Sequence, residues 1–93
     1  MELRIVQEEM AAIYGARDQQ RGIAATIAWL TEEVGELARA TRKGSAEEQL
    51  HELGDVLAWL SSLANQLGLS LETAMGRYSK GCPSCFAVPC HCP

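Results

Sequence analysis

The sequence predicts an all-α fold, an antiparallel bundle of about four helices followed by a short cysteine-rich tail. Three observations carry that prediction. Apolar residues recur at three- and four-residue steps along most of the chain, the spacing of one helical face. Glycines and capping serines fall where one periodic run gives way to the next. No stretch of useful length alternates apolar and polar residues as a half-buried strand does, and neither an internal repeat nor a low-complexity linker interrupts the pattern.

The first helix is expected over about residues 2–16, with Leu3, Val6, Met10 and Ile13 or Tyr14 on one stripe. Gly15 and Gly22 weaken the connection that follows. The second, Ile23 to Lys43, carries Ile23, Ile27, Leu30, Val34 and Leu37, and Arg42-Lys43-Gly44 is a stop signal. Ser45-Ala46-Glu47-Glu48 reads as a capping box opening the third helix. That helix is expected to bury Leu50, Leu53, Leu57, Leu60, Ala64 and Leu67 before Gly68. Ser70 then caps a short fourth helix with Leu71, Ala74, Met75 and Tyr78 inward. The division that results is a helical domain over 1–80 and a tail over 81–93.

Composition narrows the function classes. Ninety-three residues, 47% hydrophobic, suit one small ordered domain whose thin stability margin favours association with further copies. A net charge of −4 with scattered basic residues argues against binding duplex nucleic acid. No apolar run matches a bilayer span and no secretory leader opens the chain, so a cytoplasmic protein without a membrane partner is expected.

Two acidic clusters stand inside this apolar helical sequence: Glu32-Glu33-Val34-Gly35-Glu36 and Glu52-Leu53-Gly54-Asp55. Acids near a core are costly unless neutralised, and a divalent cation is the simplest partner. Their heights agree across a hairpin turning at Gly44-Ser45. Glu36 lies eight residues before Gly44 and Glu52 seven after Ser45, about 12 and 10 Å of helix rise. Glu33 and Asp55, eleven before and ten after, stand at about 16 and 15 Å. The helical wheel sets Trp29, Glu33 and Glu36 on one stripe beside the apolar face, and Glu48, Glu52, Asp55 and Trp59 on its counterpart. Glu33, Glu36, Glu52 and Asp55 are therefore the expected metal ligands, with Glu32 and Glu48 in outer positions. An oxygen-only set selects Mg²⁺ or Mn²⁺ over zinc, and magnesium accompanies phosphate-bearing substrates.

The pattern Glu32-Glu33-x-x-Glu36 followed by Glu52-x-x-Asp55, within Leu30-Thr-Glu-Glu-Val-Gly-Glu-Leu-Ala and Glu52-Leu-Gly-Asp-Val-Leu, resembles the MazG-like nucleotide pyrophosphohydrolases. The resemblance runs from about Ile23 to Lys80. It implies magnesium-dependent hydrolysis of a nucleoside triphosphate to monophosphate and pyrophosphate, possessed by a homodimer or homotetramer with sites between helices. Phosphoribosyl-ATP pyrophosphatases are a weaker match, since they carry extra lysines before the first motif and a Tyr-His pair after the second. Here Thr26 to Leu30 and Ala58-Trp59 occupy those places.

In such a site Glu32 or Glu33 is the expected acceptor of the attacking water's proton. Arg77 and Lys80 are candidate phosphate contacts, with a favourable charge at a helix C-terminus as the plainer account. Arg39, Arg42 and Lys43 could act similarly, but at an exposed helix end they read first as solvated. Trp29 and Trp59 can stack on a base or pack at an interface. Asn65 and His51 read first as surface residues, the former otherwise placed to meet a base edge and the latter to support Asp55.

Cys82-Pro83-Ser84-Cys85 and Cys90-His91-Cys92 hold all four cysteines in a C-x2-C-x4-C-x-C array. Four thiolates at turn-friendly spacing suit a structural Zn²⁺, with His91 as an alternative ligand. Disulfides and free redox-active thiols are the competing readings, with an iron–sulfur cluster disfavoured by the tight C-x-C pair. For the whole chain, the alternative to an enzyme is a regulatory module that binds nucleotide and metal while its tail recruits a partner.

Overall fold

A computed structural model of the chain, described for residues 2–93, contains four α-helices. Residue 1 lies outside the described residues. Helix α1 spans Leu3–Arg21, α2 Ile23–Lys43, α3 Ala46–Leu67 and α4 Leu71–Met75, and a 3₁₀ turn follows at Gly76–Tyr78. Helix α3 lies in the middle, packed on α2 along one side and on α1 along another.

Each boundary has a local cause. Helix α1 runs through Gly15 and stops at Gly22, whose φ of 86° is left-handed territory that favours glycine. It thus ends five residues later than its periodicity suggested. Ser45 Oγ accepts the Glu48 N–H at 3.2 Å, a cap worth about 1 kcal/mol. The other half of the expected box differs, because Glu48 Oε1 takes up the Ser45 hydroxyl instead of the backbone. Ser70 caps α4 through the Thr73 N–H at 3.1 Å.

The helical hairpin is held at both ends by side-chain amides. Near its turn Gln49 donates to the Ala40 carbonyl at 3.1 Å, and at its far end Gln66 donates to Thr26 Oγ1 at 2.6 Å. Helix α1 is tied in through Gln7, which donates to Leu69 O at 2.7 Å and accepts the Leu71 N–H at 2.9 Å. Asn65 donates to the Gln7 carbonyl at 3.0 Å, so its amide is structural.

The seam between α2 and α3 takes in only part of the apolar stripe, Leu30 and Leu37 of α2 being half-buried and Ala64 of α3 buried. On α2 the covered line is Thr26, Glu33 and Ala40, seven residues apart, with Thr26 and Ala40 fully buried. One position on, about 100° round the helix, Ile27 and Val34 face outward. Leu50, Leu53, Leu57, Leu60 and Leu67 of α3 are likewise exposed, Leu53 at 54%, as are Met75 and Tyr78 beyond it. The expectation that one chain buries these residues is corrected. Small and polar residues let the helices approach, and the larger apolar side chains are displaced to a second face. Among the described residues Ala40 and Ala64 alone are fully buried hydrophobics.

Overall dimensions reflect that displacement. The chain exposes 6777 Å², against roughly 5,300 Å² for a typical monomer of its mass. Its radius of gyration is 15.4 Å, where a globule of this length averages about 12 Å. No described helix is long and apolar enough to cross a membrane.

Candidate metal centre and its flanking clefts

Because Glu33 belongs to the covered line of α2, its carboxylate projects into the seam rather than beside it. Glu36 follows one turn later, and α3 answers with Glu52 and Asp55. One carboxylate oxygen each from Glu33, Glu36 and Glu52 lie within 4.8 Å of one another. His51, Glu52 and Asp55 form a second such group, so Glu52 belongs to both. His51 Nε2 is 3.1 Å from Asp55 Oδ2 although the imidazole is largely exposed.

The electrostatics are those of acids lacking a counter-charge. Burial pushes Glu33 up to about 7, and the carboxyls of Glu36, Asp55 and Glu52 add to the rise, Asp55 also by a shared hydrogen bond. Glu33 Oε2 and Glu52 Oε2 are shut from solvent without any hydrogen-bond partner. Buried acceptors left unpaired cost free energy, and a hard cation with oxygen ligands satisfies both at once. The donor set therefore fits Mg²⁺ or Mn²⁺. Glu32 is exposed and belongs to neither group, and Glu48 is engaged at the helix cap.

Two clefts flank the acids. One of about 580 Å³ is bordered by Glu36 and Glu52 together with Arg39 and Lys43. The other, about 130 Å³, is bordered by Asp55 and Trp59 together with Tyr14, Asp18, Arg21 and Ser62. Trp59 stacks with Trp29, centroids 5.9 Å apart, and the Arg21 guanidinium lies 4.7 Å from the Trp59 centroid. Asp18, only 2% exposed, accepts from Arg21 Nη1 at 2.6 Å and keeps Oδ2 unpartnered.

Sequence reasoning missed the α1 contribution. Asp18 and Arg21 look like ordinary polar residues beyond the end of a periodic run, and only their spacing of three hinted at a pair. That reasoning named Arg39 and Lys43 as possible phosphate contacts but ranked solvation above that role, and both border the larger of the two clefts. Arg77 and Lys80 border neither cleft, and Arg77 lies 5.3 Å from the Tyr78 ring.

In the tail the four cysteines are free thiols with their sulfurs mutually within 4.8 Å. Backbone N–H groups of Cys85 and Ser84 hold the Cys82 thiol down to about 6, and the His91 N–H lowers Cys85. Hydrogen bonding to neighbouring thiols, Cys90 foremost, pushes Cys92 up to about 11. The acids and the cysteines are thus two separate groups able to hold a metal ion.

A comparison with curated proteins gives no match. The family model for the MazG nucleotide pyrophosphohydrolase domain matches residues 21–84, which take in the α2–α3 hairpin, all four acids and α4. With more than half of its length matched, and the matched part carrying the acidic seam, the chain belongs to the MazG nucleotide pyrophosphohydrolase family.

Proposed function

We propose that the protein is a Mg²⁺-dependent pyrophosphohydrolase that converts a nucleoside or deoxynucleoside triphosphate to the monophosphate and pyrophosphate, serving to clean the cytoplasmic nucleotide pool. The observation that carries this reading is the convergence of Glu33, Glu36, Glu52 and Asp55 with two buried oxygens unpaired. These four carboxylates would hold the cation. When bound, it neutralises phosphate charge and polarises the phosphoryl group under attack.

The chain's own residues supply the rest. Water attacks the α-phosphorus, the α–β bridging bond breaks, and the water's proton passes to a carboxylate. Of Glu32 and Glu33, Glu33 is the one within the acidic group. Arg39 and Lys43 border the cleft beside Glu36 and Glu52, a position suited to the β- and γ-phosphates. That support is better than any for Arg77 and Lys80. The stacked indoles beside the acids suit the base, which would meet Trp29, because Arg21 lies over Trp59. Trp29 offers the more exposed indole of the pair.

The working unit in this reading is a homodimer or homotetramer. The chain carries roughly 1,500 Å² more surface than a typical monomer, by comparison of 6777 with about 5,300 Å². A standard interface covers about 800 Å² per partner. Ile23, Ile27 and Val34 on α2 and Leu53, Leu57 and Leu60 on α3 supply the apolar surface that a second copy would cover.

The test is pyrophosphate release from a panel of canonical and modified nucleoside triphosphates with Mg²⁺ or Mn²⁺, with EDTA as control. Metal-dependent release with equimolar monophosphate, abolished in a folded Glu36→Gln protein, is the expected result. Nucleotide and metal binding without release from any substrate would instead identify a regulatory binding module.

A further inference from the structure

Residues 81–93 adopt a closed fold without a core. Phe86 and Val88, the tail's largest apolar side chains, are 73% and 84% exposed. The backbone nevertheless doubles back on itself. Cys82 N–H donates to the Ala87 carbonyl at 3.1 Å, and Phe86 N–H donates to the Cys82 carbonyl at 2.7 Å. Gly81 sits at φ 102°, where a Cβ would stand 3.0 Å from Ala87 O and 2.9 Å from Val88 Cγ2. Ordering so short a segment requires a staple when none of its apolar side chains is fully buried.

The sulfur geometry identifies the staple. Cys82 Sγ and Cys92 Sγ are 3.7 Å apart, Cys85 Sγ and Cys90 Sγ 3.9 Å, and all four lie within 4.8 Å of one another. A tetrahedron with metal–sulfur bonds of about 2.3 Å has edges of about 3.8 Å. Disulfides bring sulfurs to about 2.05 Å, in pairs, and give no reason for four to converge on one point. Two sulfurs are already oriented from behind: His91 N–H donates to Cys85 Sγ and Cys92 N–H to Cys90 Sγ, both at 3.3 Å. Backbone donors to ligand sulfurs of this kind fix and tune metal–thiolate sites. His91 takes part through its backbone, and its ring is outside the four-residue group.

We propose that Cys82, Cys85, Cys90 and Cys92 bind one structural Zn²⁺, and that this ion, in place of an apolar core, folds the tail. Four thiols release their protons to solvent as the ion binds. A closed four-sulfur shell leaves no position for water or substrate, so the site is structural. It is independent of the acidic centre, because soft thiolates select zinc where the carboxylates select magnesium. Three of the four ligands also lie beyond the residues matched by the family model.

Metal analysis of the full-length protein, purified under reducing conditions, is the test. The expected result is one zinc per chain, retained in Glu36→Gln and lost in Cys90→Ser. Loading with Co²⁺ is expected to give the visible bands of tetrahedral cobalt thiolate, absent from Cys82→Ser. Stripping zinc from the wild type should leave the helical circular dichroism intact while the amide resonances of residues 81–93 collapse. Protein that is metal-free with four titratable thiols, that carries two disulfides by mass, or that holds iron overturns the proposal.

Discussion

Trp29 and Trp59 stack across the α2–α3 hairpin with centroids 5.9 Å and planes 13° apart. Trp59 is also met by the Arg21 guanidinium, so much of its ring is occupied within the chain. Trp29 remains 48% exposed. In the proposed function the two indoles therefore divide their tasks, Trp59 supporting the hairpin and Trp29 meeting the base. Trp29→Ala is expected to raise KM about tenfold, the equivalent of one lost base–aromatic stack, with little change in melting temperature. Trp59→Ala is expected to cost about 2 kcal/mol of stability by urea denaturation, since it removes both the indole and guanidinium contacts. Equal effects on KM and stability from both variants would contradict this division.

Glu33 gives the metal-free protein a defined pH response. Its ordinary value of 4.5 is raised to about 7, so between those values the folded chain binds more protons than the unfolded one. The contribution of this group is fully present below 4.5 and is lost as pH rises through 7. In EDTA the melting temperature should fall between pH 5 and pH 8, and Glu33→Gln should flatten that slope. Magnesium competes with the proton, so its stabilisation of the wild type should be larger at pH 8 than at pH 6. Thermal melts across that range, with and without the ion, measure both effects.

In the proposed oligomer, the outward apolar face is where assembly can be broken. Val34 and Leu53 are about half exposed, although each stands beside the acidic seam in sequence. A charge there cannot disturb a single-chain core, because these residues are not in one. Val34→Glu and Leu53→Glu are each expected to shift the protein to monomer in sedimentation, with a lower melting temperature that depends less on concentration. Unchanged mass with unchanged stability would remove this face from the interface.

How far the sequence carries depends on the range of the interaction involved. The bounds of α2, the Ser45 and Ser70 caps and the common level of the four acids are set within one helix or hairpin, where spacing and rise suffice. Which stripe forms the seam was not legible. The wheel shows an apolar line and an acidic line, and the preference for burying leucine does not reveal that the seam runs between them, covering Leu30, Leu37 and Glu33 while leaving Ile27 and Val34 outside. The end of α1 was misjudged for a related reason. Gly15 is only a weak helix breaker, whereas Gly22 has a left-handed φ that actually turns the chain. The approach of Arg21 to Trp59 joins residues far apart in sequence, and no periodicity encodes it.

That same Arg21 makes the sharpest stability prediction. Asp18 is 2% exposed with one oxygen on Arg21 and the other unpartnered, so Arg21 is its one side-chain partner. Arg21→Ala leaves a buried carboxylate alone and is expected to cost about 3 kcal/mol, more than the pair itself contributes. Asp18→Asn removes the charge while keeping a similar shape, and should cost less. In the double variant the second change should recover part of the loss from the first, because the stranded charge is gone. A urea-denaturation cycle over the four proteins reads the coupling directly. Strict additivity would show that Arg21 acts on stability through Trp59 rather than through Asp18.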